Sequence, residues 1–122
     1  MVEVICDTSF LIHLATKKIK NISSLETEIG SIQFVVPDVV ANELQNLLKN
    51  EKKKPEILAT IDYSNKLKKI SISGKFADKA ILDYVTQNGG IIATMDQVLK
   101  DMVKKNGGSI ISFSNNRIVL ES

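Results

Sequence analysis

A chain of 122 residues has room for one hydrophobic core of ordinary size, and with 43% hydrophobic and 25% charged residues it has neither the composition of a disordered segment nor that of a membrane protein. A net charge of +2 lacks the basic bias of a protein that grips nucleic acid over its whole surface, so any contact with phosphate must be local. No apolar run reaches membrane-spanning length, and Glu3 in a strand-like start argues against a signal peptide, so one cytoplasmic domain over residues 1–122 is expected.

Periodicity predicts a strand over residues 2–6, a helix over 8–16, a short helix near 22–29, a strand over 32–36 and a helix over 38–49. Pro55, suited to a first helical turn, opens a helix over 55–67. A strand over 69–73, a helix over 77–87, a strand over 90–95, a helix over 97–105 and a strand over 109–113 follow. Gly89-Gly90 and Gly107-Gly108 stop the last two helices where left-handed caps are needed. After Ser114, the pair Asn115-Asn116 predicts a tight turn into an antiparallel edge strand containing Ile118-Val119-Leu120. Strands alternating with helices give an α/β fold, a mostly parallel sheet with helices on both faces. Lys49 to Lys54, dense in charge, reads as a solvated loop, with contact to RNA as the alternative. Cys6 has no possible disulfide partner in the chain and reads as a small buried hydrophobe.

Chemistry concentrates in four acids. In open parallel sheets, ligands bind beyond the carboxyl ends of the strands, and Asp7 and Asp96 each follow a predicted strand. Either one has a plainer explanation as a helix N-cap. Glu43 is harder to explain as structure, because on a helical wheel it falls within the arc of Val39, Val40, Leu44, Leu47 and Leu48, while Asn42, Gln45 and Asn46 occupy the polar face. Asp78 falls among Val85, Ile81 and Leu82 in the same way, although a first-turn acid favouring the helix dipole accounts for it equally well. Lys79 and Asp83 read as an exposed salt-bridged pair, and His13 and Asp101 as surface positions opposite apolar faces. Asp38 is an end-of-helix acid, and Asp62 receives no role. Acids converging without histidine or cysteine favour a hard cation, Mg²⁺ or Mn²⁺, over zinc. Phosphodiester hydrolysis is the reaction that such a site suits.

These residues resemble the PIN-domain ribonucleases. Asp7-Thr8-Ser9-Phe10-Leu11 is similar to that family's opening motif, and Val36-Pro37-Asp38-Val39-Val40-Ala41-Asn42-Glu43-Leu44 to its second block. Ala77-Asp78-Lys79-Ala80-Ile81-Leu82 resembles the third block and Ala93-Thr94-Met95-Asp96 the fourth, in the family's order over nearly the whole chain. The resemblance implies a three-layer α/β/α sandwich, Mg²⁺- or Mn²⁺-dependent endonuclease activity on RNA, and a homodimer. It further implies a toxin with an antitoxin partner or an RNA-processing nuclease, the helices after the second strand supplying the protein-binding surface. By position, Asp7, Glu43, Asp78 and Asp96 would form the acidic metal site, with Ser9 and Thr94 as polar supports. Such relatives often carry asparagine where Met95 stands and a second aspartate where Lys79 stands; Lys79 could weaken metal binding or contact phosphate, and it favours, as the alternative, a non-catalytic relative that binds RNA or a protein. A phosphoacceptor signalling domain lacks its aspartate after the third strand and its lysine after the fifth, and a dinucleotide-binding module lacks its glycine-rich loop.

Overall fold

The computed structural model describes residues 2–17, 19 and 22–121. Its strands are β1 (Val2–Cys6), β2 (Ile32–Pro37), β3 (Lys68–Ile70), β4 (Ile91–Ala93), β5 (Ser109–Ser114) and β6 (Arg117–Glu121). The helices are α1 (Thr8–Thr16), α2 (Ile22–Ile29), α3 (Asp38–Leu47), α4 (Lys54–Ser64), α5 (Ala77–Asn88) and α6 (Gln97–Lys105). One sheet runs in the order β3-β2-β1-β4-β5-β6, parallel except for β6, which pairs antiparallel with β5. The order reverses at β1, whose neighbours are β2 on one side and β4 on the other.

Both faces of the sheet are covered. Val4, Ile5 and Cys6 are buried in succession on β1, as are Val35 and Val36 on β2 and Ile110 and Ile111 on β5. Consecutive burial along a strand, whose side chains alternate between faces, requires helices on each side. The helices α1, α3 and α4 pack on one another, and α5 packs on α6, completing a three-layer α/β/α arrangement. Among the described residues, no helix is long and apolar enough to cross a membrane.

Local chemistry sets the ends of the elements. Asn115 and Asn116 turn the chain into β6 with φ of 53° and 61°, the left-handed pair of a two-residue hairpin. Gly89 ends α5 with φ of 73°. Some expected elements are shorter than their sequence pattern. The strand expected over 69–73 ends at Ile70, because β2 reaches its last paired residue there, Pro37 opposite Ile70, before turning into α3. Ile72 is nevertheless buried, and its carbonyl accepts from the Val39 amide at 3.0 Å. The helix expected to reach 49 stops at Leu47, and the charge-dense segment after it is an exposed turn.

Candidate active site

Beyond the carboxyl ends of β1 and β4, where the strand order reverses, lies a cleft of about 480 Å³ lined by Asp7, Ser9, Glu43, Phe76, Asp78, Met95 and Asp96, among others. All four acids singled out from the sequence thus border one space. Neighbouring parallel strands bring Asp7 and Asp96 there. Cys6 pairs with Ala93, and the Asp7 amide continues the ladder by donating to the Ala93 carbonyl at 2.9 Å.

Asp7 and Asp96 are held differently. Asp96 caps α6, its Oδ1 accepting from the amides of Val98 at 2.9 Å and Leu99 at 3.4 Å. Asp7 precedes α1 in the N-cap position but makes no capping hydrogen bond with its side chain, so the plain helix-cap explanation fails for it. It is only 7% exposed. Fully buried Thr94 links the two acids, its hydroxyl donating to Asp7 Oδ2 at 2.9 Å and accepting from the Asp96 amide at 3.1 Å. Burial pushes the Asp7 carboxyl above the ordinary carboxylate range, against the pull of hydrogen bonds from Thr94 and Thr8, and the charges of Glu43 and Asp96 push it further up. The neighbouring Cys6 thiol is driven far up by burial and by the Asp7 charge, which leaves it inert.

Glu43 enters from α3 half-buried, and both its oxygens are engaged. The Thr8 hydroxyl donates to Oε1 at 2.7 Å, and the Ala77 amide donates to Oε2 at 2.9 Å. Since Phe76, the N-cap of α5, offers no side-chain cap, Glu43 supplies an acceptor to the start of that helix from another element. The apolar arc in which the sequence sets Glu43 is therefore an interface between helices. Thr8 was not a candidate from the sequence, because its partner is 35 residues away.

Asp78 departs from the expectation of an acid set against an apolar face. It is exposed, and its Oδ1 accepts from the Lys79 amide at 2.8 Å. The wheel misleads because Asp78, in the first turn of α5, lines the open cleft, whereas the buried face of the helix is carried by Ala77, Ile81 and Val85. Ser9 is exposed on the cleft wall, and so is Met95. Lys79 does not line the cleft and, among the described residues, makes no ion pair with Asp83. His13, expected at the surface, is half-buried, with its ring centroid 4.2 Å from that of Phe113 and Nε2 3.2 Å from Asn116 Oδ1. Asp101 is exposed as expected and accepts from Gln97 at 2.9 Å.

The acids border the cleft without closing on a point. Among the described residues, no three side chains of His, Cys, Asp or Glu are drawn together tightly enough to hold a metal ion. The donor set is nonetheless one of oxygen alone, and Asp96 Oδ2 makes no hydrogen bond to the described residues. Such a set fits Mg²⁺ or Mn²⁺, because Mg²⁺ usually binds through one or two carboxylates and keeps several waters.

A family model described as a PIN like domain matches residues 4–116. Ribonuclease VapC4 of Methanocaldococcus jannaschii is 29% identical over 112 residues, which cover 87% of this chain and 86% of that protein. The structure of the PIN domain endonuclease Utp24 aligns with a TM-score of 0.75 at 28% identity, covering 98% of this chain and 90% of the other. A domain of a functionally unknown protein from Methanocaldococcus jannaschii shares the fold at 17% identity, with a TM-score of 0.61 over 93% of this chain and 92% of that one.

Proposed function

The chain belongs to the PIN-like domain family, and from that membership and its acidic cleft we propose that it is a metal-dependent endoribonuclease hydrolysing RNA phosphodiesters. The names of two similar proteins, a ribonuclease and an endonuclease, support the reaction class. The observation that carries the reading is Asp7, a buried carboxylate without capping duty, facing Asp96 and Glu43 where the strand order reverses. A buried acid crowded by like charges needs a compensating reason, and a cation supplies one.

Asp7 and Asp96 would hold the ion, with Glu43 and Asp78 completing the acidic lining. When bound, Mg²⁺ or Mn²⁺ supplies a Lewis acid for a phosphoryl oxygen and water of lowered pKa. The chain's own residues do the positioning. Thr94 keeps the Asp7 carboxylate in register with the Asp96 backbone, and Glu43 fixes the starts of α1 and α5 on either side of the cleft. Ser9 adds a polar group to the wall. Because burial and like charges raise the Asp7 carboxyl, a cation held there would favour its ionised form and would bind more tightly as pH rises through its titration. Lys79, the residue that favoured a non-catalytic relative, lies off the cleft wall, next to Asp78 in the chain.

The test is Mn²⁺ titration of metal-free protein with single-stranded RNA, wild type against Asp96→Asn. The variant loses about a hundredfold or more in cleavage, the scale of removing a group aimed at developing charge. Unchanged cleavage sinks the four-carboxylate reading. The homodimer and the antitoxin partner belong to the same proposal, and the mass of the protein in solution decides the first of them.

A further inference from the structure

Phe76 has no part in the acidic set, yet it stands where the cleft meets a second groove. It is 58% exposed, whereas Phe10 and Phe34 are buried and Phe113, Tyr63 and Tyr84 are half-buried. Its backbone is fixed on both sides of the ring. The next amide, Ala77, donates to Glu43, and the Phe76 carbonyl accepts from Ala80 at 3.1 Å. An exposed ring is thus mounted on the backbone that Glu43 anchors, two residues before Asp78.

On one side, the ring lines the acidic cleft together with Met95, another apolar side chain left 41% exposed. On the other side lies a groove of about 390 Å³ whose charged residues are Lys75, Lys79 and Asp83, two cations against one anion. Lys75 Nζ is 5.6 Å from the Phe76 ring centroid, within range of a cation–π contact. Neither lysine forms an ion pair among the described residues. In a chain of net charge +2, this places cationic side chains beside an acidic cleft, which is what a local phosphate contact requires.

We propose that Phe76 is a stacking platform for an unpaired base beside the scissile phosphate, and that Lys75 and Lys79 receive a phosphate of the same strand in the groove beyond it. Stacking suits this position because every base has a π-face and only an unpaired base can leave its neighbours to reach the ring. The base that reaches the ring must therefore be unpaired, in a single strand or a loop. Phe76 is a positioning residue for substrate, and the proposal rests on the nuclease reading only for the name of the phosphate beside it.

The test measures binding of end-labelled single-stranded RNA by fluorescence anisotropy in EDTA, where nothing is cleaved. Base stacking is worth about 5- to 150-fold in affinity, so Phe76→Ala weakens binding by about tenfold and Phe76→Trp restores it. Removing one base at a time from the RNA supplies the second arm. Wild type loses about tenfold at one abasic position, and Phe76→Ala loses nothing further there, the signature of two groups in contact. The proposal is overturned by Phe76→Ala binding like wild type, by the two losses multiplying at every position, or by wild type failing to bind single-stranded RNA. Cleavage in Mn²⁺ is scored separately. Stacking without cleavage removes the nuclease reading and leaves the platform, whereas cleavage that ignores Phe76 removes the platform alone.

Discussion

Asp7, just past the end of β1, and Glu121, at the end of β6, are acids whose surroundings drive them in opposite directions. Glu121, on β6, accepts from Lys104 Nζ at 2.8 Å and from the Ser112 hydroxyl, with Lys100 Nζ at 3.4 Å. The Lys104 and Ser112 hydrogen bonds, with the Lys100 charge, hold its carboxyl down at about 2. Asp7 is more deeply buried and has only hydroxyl and amide help, with no ion pair among the described residues, and its carboxyl is pushed up by burial and by Glu43 and Asp96. A carboxylate whose partners are complete contributes to the fold. One left short of positive charge in a cleft costs the fold stability and is a candidate for binding.

The widest separation between the two acids is in activity. Asp7→Asn keeps the shape and one acceptor oxygen but removes the charge, and RNA cleavage in Mn²⁺ should fall about a hundredfold or more. Glu121→Gln should cleave at the wild-type rate. If both variants cleave normally, or both lose activity alike, the division between a binding carboxylate and a structural one collapses.

Glu43 stands between these classes, since it faces Asp7 and is also fully hydrogen-bonded. Glu43→Ala leaves the Thr8 hydroxyl and the Ala77 amide without their acceptor, which costs about 1–3 kcal/mol in urea unfolding if water does not replace it. Glu43→Gln retains an acceptor oxygen and should lose less. Unchanged stability in the alanine variant would move Glu43 wholly into the class of Asp7.

Local rules made much of this legible in the sequence. The alternation of elements, Asn115-Asn116 and Gly89 each depend on neighbouring residues, so strand order at the hairpin and the end of α5 follow from them. Asp7 and Asp96 were recognisable because a strand followed directly by a helix puts its junction at the carboxyl edge of a parallel sheet. What escaped depends on partners distant in the chain. β3 is short because β2 runs out beside it, and Glu43 meets Thr8 and Ala77 through the packing of three helices. The exposure of Asp78 and Phe76 at the start of α5 depends on the open cleft beside them, which a helical wheel does not contain.

A smaller effect concerns Glu121. Its folded value of about 2 lies below the ordinary 4.5, so between those values the unfolded chain binds more protons than the native state. The stabilisation is complete above the ordinary value and is lost as pH falls through 2. Since the side chain is 30% exposed, its worth is about 1 kcal/mol rather than the full shift. Glu121→Gln should therefore lower the midpoint of urea unfolding at neutral pH and converge with wild type in strong acid.

Asp7 should show the reverse sign in metal-free protein, and the reason lies in the same linkage. Its folded carboxyl titrates above the ordinary value, so within that window the native state holds more protons than the unfolded chain, and stability declines as pH rises. Above the folded value the decline is complete, and wild type carries a buried charge that asparagine does not. Asp7→Asn should then melt a few degrees higher than wild type at neutral pH, with the gain vanishing as pH falls below the ordinary carboxylate range. Saturating Mn²⁺ should narrow or reverse the gap, because a cation bound to the native state alone stabilises the protein that retains its carboxylate. A variant less stable than wild type without metal would mean that the Thr94 hydrogen bond outweighs burial and like charge, and Asp7 would rejoin Glu121 as a structural acid.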